Sequence, residues 1–114
     1  MGSGLSEDSP KRLPRKVTID PEAEAEIIEA ARWYASQRAG LEDSLLLALD
    51  AALECIARYP ARYTIVDEPI RRVLLGRFPY GVFYVVRRYD VLVLAFHHSA
   101  RDLQRWKERR KGTT

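Results

Sequence analysis

The chain has 114 residues, enough for one domain around one core. Hydrophobic residues make up 46% and charged residues 31%, which excludes a disordered chain, and no apolar run nears the ~20 residues of a membrane helix. The formal net charge of +3 is unevenly spread: residues 1–69 hold 8 Lys+Arg against 13 Asp+Glu, a balance of −5, while residues 70–114 hold 11 against 3, a balance of +8.

Residues 1–16 read as a flexible basic leader or a remnant of tagging. Gly2, Gly4, Pro10 and Pro14 leave nothing periodic, and no apolar stretch suggests secretion, so a cytoplasmic location is expected. The domain is expected over residues 17–111. Lys16–Val17–Thr18–Ile19 is β-prone and reads as a first strand. Asp20–Pro21–Glu22 opens a helix: Asp20 suits the N-cap, Pro21 the first helical position, and Glu22 and Glu24 the positive helix end. Ala23, Ile27, Ala31 and Tyr34 then recur at helical spacing until Gly40, a candidate left-handed C-cap. A second amphipathic helix runs through Leu45, Leu46, Leu49, Leu53 and Ile56 and stops at Pro60.

Two helices so closely joined form an αα-hairpin that needs a layer to pack on. Three strands supply it: Ile70–Phe78, Tyr80–Arg88 and Val91–His98, the last two joined by a two-residue turn at Tyr89–Asp90. Both parities of Val91–Phe96 are apolar, so the sheet face away from the helices is expected to be covered, a partner being one candidate. Arg101–Lys111 reads as a short basic terminal helix around Leu103 and Trp106. The order is β-α-α-β-β-β-α: an α+β fold of two layers, with an αα-hairpin on a mainly antiparallel four-stranded sheet. Leu46, Leu49, Leu53, Ile56, Val82, Tyr84, Leu94 and Phe96 are expected to be among its most buried side chains.

Few residues could carry chemistry. His97 and His98 end the last strand on opposite faces; simple alternation groups His98 with Leu92, Leu94 and Phe96, and His97 with Val91, Val93 and Ala95. Whichever turns away from the helices could act as general acid or base near neutral pH, or simply close the strand end. The pair cannot chelate one ion together, and a single cysteine, Cys55, adds no metal site, so neither metal nor cofactor is expected. Arg71, Arg72, Arg77, Arg101 and Arg105 converge on one end of the sheet if the strands pair as neighbours. Such a cluster suits carboxylates or phosphates, whether an acidic peptide or a nucleic-acid backbone. Arg87 and Arg88 border the last hairpin and are expected in solvent. Phe78, Tyr80, Phe83 and Tyr84 could stack on bases but fit a core better. No phosphate loop, carboxylate pair or Ser/His/Asp set is visible.

The element order, with Arg72…Phe78–Pro79–Tyr80…Tyr84 and then His98–Ser99–Ala100–Arg101–Asp102…Trp106, resembles the RelE/ParE toxin superfamily of type II toxin–antitoxin systems, the plasmid stabilisation proteins. The likeness runs from about Val17 to Arg110. It implies a cytoplasmic growth-inhibiting toxin, held in a hetero-oligomer by a cognate antitoxin whose extended segment wraps it. ParE-like members poison DNA gyrase by binding; RelE-like members cut mRNA on the ribosome. RelE-like strands typically read Tyr-Arg-x-x-Tyr where this chain has Tyr80–Gly81–Val82–Phe83–Tyr84, so an arginine that would steady a cleaving phosphate is absent. The resemblance therefore favours the ParE-like reading, with Arg72, Arg77, His97, His98, Arg101, Arg105 and Trp106 as binding residues. In the nuclease alternative His98 or His97 would transfer the proton, with Arg72, Arg77 and Arg101 holding the phosphate. A third reading is a non-toxic binding module of the same fold.

Overall fold

The computed structural model describes residues 14–98. The expected terminal helix over Arg101–Lys111 lies outside them, as do Arg101, Arg105 and Trp106. The elements are β1 (Lys16–Ile19), α1 (Pro21–Gln37), α2 (Leu41–Arg58), β2 (Thr64–Asp67), β3 (Ile70–Leu74), β4 (Tyr80–Val86) and β5 (Asp90–His98). The strands form one sheet in the order β1-β5-β4-β3-β2. β1 runs parallel to β5, and the other neighbours pair antiparallel.

The α+β class and the helical hairpin on a sheet are as expected; among the described residues the sheet has five strands, not four. The additional strand is β2, a four-residue edge element between Pro60 and Pro69. Its Thr64–Ile65–Val66 run is β-prone, but too short to stand out beside the long strands that follow. A cis Glu68–Pro69 bond leads from β2 into β3.

The capping residues explain the hairpin. The Asp20 carboxylate accepts the Glu22 N–H at 2.9 Å, and Pro21 occupies the first turn. Gly40 has φ +94°, the left-handed conformation glycine tolerates, but it serves as N-cap of α2, while Arg38 closes α1 in extended form. The last hairpin turns over Arg87–Asp90, with Arg87 N–H donating to the Asp90 carbonyl at 2.8 Å. Its tip is thus Arg88–Tyr89, one residue earlier than the sequence suggests.

The main core lies between hairpin and sheet. Ala23, Ile27 and Ala30 of α1 and Leu45, Leu49 and Ile56 of α2 pack on Val82, Tyr84, Val91, Val93 and Phe96. Three expected core residues differ. Leu46 is 37% exposed, because the inward stripe of α2 runs through Leu45 and Leu49 and turns Leu46 aside. Leu53 is half-buried at the margin. Leu94 is half-buried and belongs to the other side of the sheet.

A bulge causes the last difference. Phe83 pairs with Ala95 but Tyr84 with Val93, so Leu94 is the extra residue on β5. The bulge inverts the alternation: Phe96 joins Val91 and Val93 on the helix side, while Ala95 lies with Ile70 and Phe83 opposite. The parity groups read from the sequence hold through Leu94 and invert from Ala95 onward.

A basic sheet end as the candidate binding site

β1 covers only the first part of β5, pairing as far as Val93. There Asp20 N–H donates to the Val93 carbonyl at 2.9 Å, and the chain turns into α1. The rest of β5 would present bare backbone at an edge. Glu26 of α1 closes it: one carboxylate oxygen accepts the Phe96 N–H at 2.9 Å, and the other lies 3.4 Å from His97 Nδ1. One side chain thus completes the ladder and orients a histidine.

The register then places the candidate residues. Leu74, Gly81 and His97 lie in one row across β3, β4 and β5, next to the row of Arg72, Phe83 and Ala95. Two-residue alternation puts Arg72 on the same face as Ile70, away from the helices. A Cβ on Gly81 would lie 3.2 Å from Arg72 Cγ, 3.3 Å from its Cδ and 3.4 Å from Leu74 Cδ2. The missing side chain is therefore the space across which the Arg72 stem lies. His97 is buried on this same face, its ring 5.9 Å from that of Phe83.

His98 belongs to the other side. Its ring meets Tyr80 edge-on at 5.8 Å, and Tyr80 stacks on Phe96 at 4.9 Å. Tyr34 of α1 joins them, 5.1 Å from Phe78 and 6.2 Å from Tyr80. The adjacent histidines thus serve two environments and form no concerted pair. Arg77 lies exposed on the β3–β4 connection, its guanidinium 5.7 Å from the Phe78 ring. The structure gathers Arg72, Arg77, His97 and His98 at one end of the sheet.

Arg71 does other work. Its guanidinium donates to the carbonyls of Ala61 and Tyr63, at 3.2 and 2.7 Å, and so holds the segment leading into β2. Arg87 is not simply solvated: it grips Asp90 through two bonds of 2.7 and 2.6 Å. That grip, with a 2.8 Å bond from Thr18, holds the Asp90 carboxyl down at about 2. Arg15 in turn donates to the Arg87 and Arg88 carbonyls, each at 3.0 Å. These arginines serve the fold, and only their contacts distinguish them from Arg72 and Arg77. Sequence reasoning missed Glu26, which looks like any solvated residue of an acidic helix. Among the described residues no group of three or more His, Cys, Asp or Glu could hold a metal ion.

A helical hairpin packed on one face of a mainly antiparallel sheet makes this a small two-layer α+β protein. Residues 17–103 match the family of the ParE toxin of type II toxin-antitoxin systems, and the chain belongs to that family. It is thus a toxin-family protein of a type II system. A chain from the chromosomal ParDE toxin–antitoxin system of P. aeruginosa superposes with a TM-score of 0.66 at 10% identity, over 74% of this chain and 95% of that one. At that identity the likeness is one of fold. No curated protein matches the chain. Among the described residues no helix is long and apolar enough to cross a membrane.

Proposed function

We propose that this toxin arrests growth in the cytoplasm by binding DNA gyrase, that it performs no chemistry itself, and that a cognate antitoxin neutralises it. The observation that carries the binding-only reading is Gly81. The Arg72 stem lies over Gly81, 3.2–3.3 Å from where a Cβ would stand. A side chain at that position would press on the Arg72 stem, which would have to give by a few tenths of an ångström, and glycine supplies no arginine to steady a cleaving phosphate. The two histidines support the same reading, since they face opposite sides of the sheet and cannot act together as acid and base on one bond. Arg77, exposed at the same end, suits a carboxylate-bearing surface.

The antitoxin follows from the family and from the charge asymmetry. An acidic, partly apolar segment would meet the basic end at Arg72 and Arg77 and order on binding.

The deciding experiment compares wild type and His98→Ala side by side in gyrase supercoiling and in ribosome-dependent mRNA cleavage. The expected result is inhibited supercoiling by both proteins, with the mRNA intact. Cleavage by the wild type that is lost in His98→Ala would overturn the reading and install His98 as the proton-transfer group, with Arg77 and Arg101 at the phosphate. Normal growth on induced expression would instead favour the non-toxic binding module.

A further inference from the structure

The β4–β5 hairpin ends in a tip whose residues the turn itself does not require. Tight hairpins favour Asn, Asp or Gly at their tips. Here the tip is Arg88–Tyr89, with Tyr89 81% exposed, the Arg88 guanidinium 5.7 Å from the centre of its ring, and no left-handed residue in the turn. Exposed as it is, the tip is held fast. Arg15 donates to the Arg87 and Arg88 carbonyls, and Arg87 grips Asp90 through both backbone and side chain. β1 begins beside it, with Lys16 paired to Asp90. Val17 and Ile19 pack on the core, so alternation turns the exposed Lys16 to the face where Thr18 meets Asp90.

We propose that this tip is a contact for the backbone of duplex DNA, with Arg88 and Lys16 on phosphates and the Tyr89 ring against a base or sugar. Charge selects an anionic partner. Within about two strand spacings, some 10 Å, the tip gathers Arg15, Lys16, Arg87 and Arg88 around the one carboxylate of Asp90, which Arg87 already holds. Asp67 and Glu68, the acids of the β2–β3 turn, lie on the other side of β3. Arg15 also covers two carbonyl oxygens that would otherwise repel a phosphate. Shape selects a nucleic acid over an acidic peptide. β3 pairs with β4 only as far as Tyr84, so the tip stands beyond it as a convex two-stranded ribbon. The major groove of B-DNA admits such a ribbon, whereas an extended peptide lies in a groove or along a strand edge. A flat aromatic face beside a guanidinium also suits packing on bases and sugars. The choice of DNA over RNA rests on the proposed gyrase target, whose own substrate is DNA; the phosphate contact does not.

The test titrates a short fluorescein-labelled duplex of arbitrary sequence with the full chain, without gyrase, and follows anisotropy across a salt series. The logarithm of the affinity should fall linearly with that of the salt concentration. Arg88→Ala and Lys16→Ala should each make the slope shallower by about one, and the double variant by about two. Tyr89→Ala should weaken binding several-fold with the slope kept, because stacking releases no counterions, and Tyr89→Phe should restore it. Arg32→Ala, exposed on α1, should keep the wild-type slope. Circular dichroism should be unchanged throughout, since all these side chains are exposed. A shift in Arg32→Ala equal to that in Arg88→Ala would mean that net charge alone attracts the duplex, and would overturn the proposal. So would tighter binding of single-stranded RNA, or equal displacement by polyglutamate, which would assign the tip to an acidic peptide. Supercoiling inhibited by a toxin that does not bind the duplex would sink this inference and leave the gyrase reading standing. Duplex binding without inhibition would do the reverse.

Discussion

Glu26 illustrates how one side chain can finish a sheet. β1 stops at Ile19, and the Phe96 N–H beyond it finds its acceptor on α1. Removing a charged acceptor from a bonded backbone donor costs about 1.5–3 kcal/mol. Glu26→Ala should therefore lower the urea midpoint by that equivalent, and Glu26→Gln, which keeps an acceptor, should recover part of it; an unchanged midpoint in the alanine variant would contradict the assignment. Tyr84 plays a similar part inside the core, its hydroxyl donating to the Pro60 carbonyl at 2.6 Å. Burial pushes its hydroxyl up to about 12, above the ordinary tyrosine value. The folded state thus holds the proton longer than the unfolded chain, and stability from this group is complete below about pH 10. It should fall as pH rises toward about 12, and unfolding curves across that interval should flatten in Tyr84→Phe.

The helices divide their leucines sharply. Leu49 is 4% exposed against the sheet, while Leu46 is 37% exposed at the side of the same helix. Leu49→Ala should cost about 2–5 kcal/mol in chemical denaturation. Leu46→Ala should cost less than about 1 kcal/mol, as surface substitutions generally do. Equal losses would mean that α2 sits rotated on the sheet. The hairpin is readable from the sequence because its signals are local: Asp20–Pro21 opens α1, Gly40 takes the left-handed turn and Pro60 follows α2. What cannot be read is the last fraction of a turn that sets Leu45 rather than Leu46 inward, since both fit one broad apolar stripe and the sheet chooses between them. β2 escaped for the related reason that four residues at an edge owe their strand form to pairing with β3.

The whole molecule is polarised. One face of its sheet carries the hairpin, whose two helices are rich in acidic residues, and one end of the sheet carries Arg72, Arg77, His97 and His98. A complex with an acidic antitoxin should show this polarity. Arg72→Glu should weaken the complex most at low ionic strength, where opposite charges are least screened. Arg87→Glu should have little effect on binding, because Arg87 already holds Asp90 at the far hairpin. Titration calorimetry at two salt concentrations checks both, and identical losses from the two variants would mean that net charge alone, rather than the basic end, governs recognition.

The sequence by itself determined the α+β class, the hairpin, the long strands and the family, because each rests on local periodicity, capping residues or residue order that no distant contact has to arbitrate. It also marked the arginines and histidines as candidates. Only the tertiary structure decided which of them share a face. The extra residue at Leu94 inverts the alternation of β5 and sends Phe96 to the hairpin and His97 to the opposite side. Glu26 and Gly81 gained their roles in the same way, one by meeting a strand edge 70 residues away and the other by lying beneath the arginine of a neighbouring strand. A side chain's face and partners come from register and packing, which depend on the whole chain at once.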